Sequence, residues 1–488
     1  MNHLSRRLSA QDAAFLYLER PTSALHIGSL AIYQGRLPYE RFVSHLESRI
    51  SLIPRYRQRV AFVPLNLGHP TWEDDPDFSV RNHIHQVTLP APGTDEQLNQ
   101  LAADLFSPPL GRGKPLWEMF VIGGLEGDRT AILSKVHHCM VDGVSGIELL
   151  VATVDISPEP SPPPEAAPWK PKPLPSTAAR LNDAFWDGLE HQRELWREFS
   201  EGFADPQRRL RETQDTLRAL RRALPLLAVP APRLPFYTRL TKQRHVVFSE
   251  MSFVELREIR TSLGGTVNDV VLALLAGALR RYLGEHGHNL SGAEPRVAIP
   301  VNVRLEGEDG ALGNRVSAMF AALPIGEANP AERLRLVQER MRSLKEEKQA
   351  ATFELLMRMA AHTPAPVHFL SGQAMSTSTV VNMICTNVPG PMIPLYCVGH
   401  LMLGHYPLVP LSLDMGLGVG VTSYNHRLYF GLMADPNAVP DLDRLKSHLD
   451  ESFLELRAAA GVSPAELPPL PGNGHGPVSV RPRVEQTS

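Results

Sequence analysis

Apolar residues recur along this chain at two spacings, and each spacing predicts an element. In the first 155 residues, short apolar runs at Leu30 to Tyr33 and Ala131 to Val136 predict strands, while Tyr39 to Ile50 and Asp95 to Leu105 predict helices. Beyond residue 240, Phe253 to Leu263 and Asn268 to Leu283 predict helices. The second is apolar nearly all round and is therefore expected to be buried. Strands are predicted at Arg296 to Asn302, Met383 to Asn387, Leu417 to Ser423 and Arg427 to Met433, and an exposed charged helix at Pro330 to Lys348. Between the halves lie two proline clusters, Ile156 to Pro175 and Pro225 to Pro235, which cannot hold a helix or a central strand. The segment separating them turns helical: Leu181, Phe185, Leu189, Gln192, Trp196 and Phe199 share one helix face. A second helix is predicted at about Pro206 to Leu224, with Leu210, Leu217, Leu220 and Leu224 on one side among arginines. The division that follows is an N-terminal domain 1–155, a Pro-rich and helical connector 156–240, a C-terminal domain 241–465 and a disordered tail 466–488. Strands and helices mix in both halves, which predicts a two-domain α/β architecture.

Bulk properties sharpen this picture in three places. A chain of 488 residues exceeds the length at which one core usually splits, in keeping with two domains. A formal net charge of -3 offers no basic excess, so nucleic acid is not an expected partner. Cys139, Cys385 and Cys397 are too few and too scattered for a disulfide framework or a zinc site, which favours a reducing, cytoplasmic setting. No apolar stretch follows Arg6 and Arg7, so no signal peptide is expected, and no run reaches the roughly 18 residues of a spanning helix. Contact with a membrane would therefore be made from its surface. The basic stretch Gln207 to Leu224 suits either an anionic lipid surface or simple solvation.

The sharpest chemical feature is His137-His138-Cys139-Met140-Val141-Asp142-Gly143, between a predicted strand and a predicted helix at Val144 to Val154. Adjacent side chains on an extended segment point to opposite faces, so the two histidines are not expected to share one task. Three readings are open on spacing alone. The pair is structural, or it belongs to a metal site with a carboxylate, or one imidazole serves as a general base toward a hydroxyl nucleophile. The divergence of the rings, and the lack of another His/Cys pair nearby, weigh against metal.

The segment resembles the HHxxxDG signature of the CoA-dependent acyltransferase superfamily, which includes chloramphenicol acetyltransferase and peptide-synthetase condensation domains. The flanking text narrows the resemblance to the bacterial wax ester synthase/diacylglycerol acyltransferase family. Leu8-Ser9-Ala10-Gln11-Asp12 with Phe15-Leu16 resembles that family's opening, followed in order by Leu25-His26-Ile27-Gly28 and Pro54-Arg55-Tyr56-Arg57-Gln58-Arg59. Pro115-Leu116-Trp117 is similar to its PLW motif and Thr266-Val267-Asn268-Asp269-Val270 to its ND motif. Pro300-Val301-Asn302-Val303-Arg304 and Thr386-Asn387-Val388-Pro389-Gly390-Pro391 complete the set. Asn302, where Ser is expected, and Asn425-His426 after Ser423-Tyr424 depart from the pattern.

The resemblance implies a two-domain chloramphenicol acetyltransferase-like fold with an active-site tunnel at the domain interface. It implies His138 as general base, Asp142 as a structural residue holding the motif loop with Arg304 as candidate partner, and Gly143 as room for substrate. His137 would orient the site or simply pack. Asn268 would support the site or cap a helix with Asp269, and Trp117 is read as core. No G-x-S-x-G elbow is present, so an acyl-serine route has no support, and alternation turns Cys139 away from the face of His138. The implied reaction is O-acylation of diacylglycerol or a long-chain fatty alcohol by acyl-CoA as co-substrate, with no cofactor and no metal. The alternatives are transfer to a polyketide-type alcohol or an amine from a carrier-bound acyl donor, or a non-catalytic lipid-binding or lipid-body protein. The expected location is cytoplasmic, including the inner face of the plasma membrane and the surface of lipid bodies.

Overall fold

The structure is a computed structural model and describes residues 6–140, 149–150, 152–162, 168–204, 214, 221, 229–302, 316–347, 349–353, 363–375 and 380–465. Among the described residues the first half contains α1 (Ala10–Leu18), β1 (His26–Gln34), α2 (Tyr39–Arg49), β2 (Gln58–Ala61), β3 (Thr71–Asp74) and β4 (Ile84–Thr88). It continues with α3 (Asp95–Phe106), β5 (Trp117–Leu125) and β6 (Arg129–His137). The connector carries α4 (Thr177–Ala204). The second half holds β7 (His245–Ser252), α5 (Phe253–Leu263), α6 (Val267–Glu285), β8 (Arg296–Asn302), β9 (Val316–Ala322) and α7 (Pro330–Glu346). After these come α8 (Ala365–Ala374), β10 (Met383–Val388), β11 (Tyr396–Cys397), β12 (His400–Leu408), β13 (Leu417–Tyr424), β14 (Arg427–Ala434) and α9 (Leu442–Ala459).

Two six-stranded mixed sheets organise these elements, with strand orders β11-β12-β1-β6-β5-β4 and β7-β14-β13-β10-β8-β9. Sheet membership does not follow the chain. Strands β11 and β12, from within the half expected at 241–465, complete the first sheet, where β12 runs antiparallel to β1. This exchange is invisible to periodicity because His400–Leu408 is interrupted by Gly404, His405 and Pro407. It also creates a core common to both halves, in which Leu30, Phe106 and Leu133 pack with Val246, Leu408 and Met433. Arg244 adds a polar tie, donating to the Thr22 carbonyl while facing Asp435.

The second core wraps α6. A reciprocal capping box between Thr266 and Asp269 starts this helix, and every residue from Asp269 to Leu279 is buried, as its uniform hydrophobicity predicts. Helix α7 forms where a charged helix is expected, but it is amphipathic rather than exposed: Arg333, Leu334, Val337 and Met341 are buried.

Helix α4 forms as predicted, with Leu181 and Leu189 of its apolar stripe half-buried and two aromatic members facing outward. Phe185 is 65% and Trp196 71% exposed. The helix is also held by charge, through Arg6 to Asp183, Arg7 to Asp187 and Arg180 to Glu73. The helix expected at 206–224 lies, apart from Gln214 and Arg221, outside the described residues, as do most of the segment 144–154 and the tail from residue 466 onward.

Glycines permit the crossing of β12 under the second sheet. A Cβ built on Gly431 of β14 would stand 1.8 Å from the Pro407 carbonyl oxygen. Gly431→Ala is therefore expected to destabilise the protein by about 2 kcal/mol or more through overpacking. Gly111→Ala, with no atom within 4 Å of its new methyl group, should be near neutral. Urea unfolding of the two variants checks this.

Candidate functional site

The histidine pair stands where β6 ends and a 3-10 turn, His138–Met140, begins. The ladder carries both backbones to this point. His137 N–H donates to the Leu116 carbonyl at 2.9 Å on the β5 side, and His138 N–H to the Leu25 carbonyl at 2.9 Å on the β1 side. Successive amides thus grip opposite neighbours, and the two rings enter different environments, as alternation requires.

The His138 ring stacks on Phe15 of α1, with centroids 4.0 Å apart and planes 12° apart. The residue as a whole is half-buried. Burial pushes its pKa down to about 4, with its own backbone carbonyl opposing the drop and the nearby His137 adding to it. Its Nδ1 is buried and makes no hydrogen bond. The imidazole is therefore neutral at physiological pH and has a lone pair to offer.

His137 is different in kind. It is 1% exposed, and its Nδ1 accepts the Cys139 N–H at 3.1 Å. Nε2 must then carry the ring proton, and it faces Glu19 Oε1 at 3.4 Å. Glu19 Oε1 also accepts the Leu25 N–H at 3.2 Å, and Oε2 accepts from Arg112 at 2.9 Å. Burial alone would raise the Glu19 pKa, but His137, Arg112 and the Leu25 amide outweigh it and bring it down to about 2. Glu19 is a site residue that sequence reasoning missed. One signal was available: a carboxylate at the C-cap of α1 opposes the helix dipole, and such a local conflict needs another explanation.

Around this pair the remaining candidates separate. Burial pushes the Cys139 thiol well above its ordinary pKa, which leaves it an inert core group rather than a nucleophile. Trp117 is fully buried, donates from Nε1 to the Tyr56 carbonyl at 2.8 Å and stacks on His83 at 4.3 Å. The PLW segment thus holds β5 beside β6, pairing Trp117 with Val136. Asn268 lies in the first turn of α6, whose cap is made by Thr266 and Asp269, and none of the hydrogen bonds described joins it to the histidines. Asp142, Gly143 and Arg304, together with the Asn302 side chain, lie outside the described residues. Among the described residues, no group of three His, Cys, Asp or Glu side chains is arranged to hold a metal ion.

Comparison with known proteins gives this arrangement a family. The model of the wax ester synthase/diacylglycerol acyltransferase catalytic domain matches residues 8–271, and that of the family's C-terminal domain matches 312–457. Two Mycobacterium tuberculosis proteins assigned as diacylglycerol O-acyltransferases are similar over 472 residues each. One is 34% identical, covering 92% of this chain and 90% of the relative, and the other is 31% identical, covering 94% and 96%. The solved wax ester synthase/diacylglycerol acyltransferase of Marinobacter aquaeolei superposes with a TM-score of 0.63 at 25% identity, covering 93% of this chain and 100% of that one. The starter condensation domain of rhizomide synthetase, solved with C8-CoA and Leu-SNAC, shares the fold at a TM-score of 0.53 and 16% identity, covering 93% of this chain and 94% of that one.

The electrostatics of His138 are directly measurable. In protein carrying 15N-labelled histidine, its ring signals should hold neutral-imidazole positions down to about pH 5 and titrate near 4. A midpoint near the ordinary value of about 6.5 would contradict the dry setting. Because the folded pKa lies below the unfolded one, the unfolded chain binds the proton more tightly. This histidine's contribution to stability is therefore intact above pH 6.5 and is lost progressively as pH falls toward 4.

Proposed function

The chain belongs to the wax ester synthase/diacylglycerol acyltransferase family and is an O-acyltransferase; on that premise we propose that it esterifies diacylglycerol or a long-chain fatty alcohol with acyl-CoA, with His138 as general base. The observation that carries this reading is the His138 imidazole itself: neutral, stacked on Phe15 and without a hydrogen bond at its buried Nδ1. A neutral imidazole takes the proton of the acceptor hydroxyl as its oxygen attacks the thioester carbonyl carbon. Collapse of the tetrahedral intermediate breaks the C–S bond, and the imidazolium returns the proton to the departing thiolate. Both substrates held at one interface supply the proximity that a direct transfer requires. The inert Cys139 supports direct transfer over an acyl-enzyme route. Asp142 and Gly143 would shape the motif loop, and Asn268 would support it from α6.

We further propose that the enzyme meets its acceptor at a lipid surface, on the inner face of the plasma membrane or on lipid bodies. No single helix among the described residues is long and apolar enough to cross a membrane. The support is an apolar exterior centred on the turn Pro64–Asn66, against which both α4 and α8 pack. Leu65 there is 85% exposed in the left-handed region at φ 56°, a strained state for a leucine. Val367, Leu370, Phe185 and Trp186 are also exposed on those two helices.

Incubation of purified protein with labelled palmitoyl-CoA and diacylglycerol or hexadecanol tests the reaction. His138→Ala should lower ester formation by at least about a hundredfold, the usual range for loss of a general base, with circular dichroism unchanged. Undiminished turnover would overturn the mechanism. For the surface, Leu65→Ser combined with Leu370→Ser should reduce co-sedimentation with triacylglycerol emulsions or phospholipid vesicles. Equal binding by the variant and the parent would remove this face from consideration.

A further inference from the structure

We propose that helix α1 is a two-point clamp on the histidine pair. Phe15 fixes the plane of the His138 ring, and Glu19, one turn further on, fixes the tautomer of His137 and thereby the peptide that follows His138. Both are positioning residues for acyl transfer. The inference rests on His138 as the base and goes beyond it, because neither side chain touches the reacting atoms.

The geometry is specific. Residues four apart lie on one helix face, and here each engages a different member of an adjacent pair whose rings diverge. Stacking at 4.0 Å and 12° leaves the His138 ring little freedom about its own axis, and no hydrogen bond at Nδ1 does that work instead. Glu19 acts through a relay. The Glu19 carboxylate lies 3.4 Å from His137 Nε2, short of hydrogen-bond geometry, and its charge favours the proton on that nitrogen, which leaves Nδ1 to accept the Cys139 N–H at 3.1 Å. That amide is the first one after His138, so the relay ends on the turn that aims the base. The same Oε1 accepts from Leu25 N–H, while the Leu25 carbonyl accepts the His138 N–H, so both histidines are referenced to one carboxylate.

The clamp is itself anchored. Arg112 donates to Glu19 Oε2 and to the Leu16 carbonyl. Arg20 donates to the carbonyls of Gly372 and Gln373 on α8, and Phe369 packs edge-on against Tyr17. The position of α1 is thus set by both halves of the chain. Asp12 and Glu19 on α1, Arg112 ahead of β5 and Arg55 ahead of β2 all act on the turn at Cys139. Among the described residues, His137 is the titratable neighbour that bears on the His138 ring.

Three variants test the clamp: Phe15→Leu, Phe15→Tyr and Glu19→Gln. Phe15→Leu should lower kcat by about tenfold or more, with KM changed less than about threefold, because orientation rather than binding is lost. Its His138 titration should move up from the parent value as water reaches the ring, and Phe15→Tyr, which keeps the stacked ring, should restore both readouts. Glu19→Gln should lower kcat similarly, with the 15N signals of His137 showing a mixture of tautomers in place of one. Full kcat in Phe15→Leu or Glu19→Gln overturns the proposal. So does a loss carried only by KM, or a loss of kcat with the His138 titration and His137 tautomer unchanged. If His138→Ala retains turnover the base assignment fails, and the ring spectra of the α1 variants still decide whether the clamp exists. Should Phe15→Leu not fold, Phe15→Tyr against Phe15→Trp and Glu19→Gln carry the test.

Discussion

Strand β1 must have both of its edges paired, and the rest of the molecule follows from how that is done. It lies inside the first sheet, where unpaired N–H and C=O groups would be cut off from water. One edge is closed by β6 from the same half of the chain, in register from His26↔His137 to Gln34↔Arg129. The other is closed by β12, which arrives from the distant half. The halves therefore cannot separate without opening a central strand and exposing the apolar core they share. Just beyond the β6 register, the Leu25 carbonyl receives the His138 amide, so the β1–β6 pairing also places the histidine turn.

Two adjacent imidazoles in this turn have been given opposite electrostatic settings. His138 is kept dry against an aromatic ring and stays neutral. His137 is set against a buried carboxylate that remains ionised because His137 itself, Arg112 and a backbone amide outweigh the effect of burial. The physical distinction is between a desolvated ring whose Nδ1 makes no hydrogen bond and a ring whose Nδ1 is committed to the Cys139 amide. The His137 ring stands between Glu19 at the end of α1 and the Cys139 amide of the turn.

Several features are legible in the sequence. Uniform hydrophobicity identifies α6 as a buried helix, and alternation separates the two histidines. The ordered motifs, including PLW and the histidine signature, identify the family. Trp117 reads as core and is core. Where the structure departs from the expectation, the departures share one cause. The spacing of the α4 stripe does not say what it faces, and ion pairs to Arg6, Arg7 and Glu73 set the helix with Phe185 and Trp196 outward. The charged helix α7 reads as exposed, yet it buries Arg333 against the carbonyl of Ala273. In each case a partner remote in sequence decides the orientation, and periodicity carries no information about such partners.

By itself, the sequence determined the element types, the two-half α/β architecture, the family and the identity of the histidine to examine, because these rest on local spacing and on ordered motifs. Only the tertiary structure decided that β12 crosses into the first sheet, that Glu19 meets His137 from more than a hundred residues away, and that Phe15 stacks on His138. Each of these depends on a contact made only when distant backbone is paired. The desolvation that keeps His138 neutral exists only once those contacts have formed.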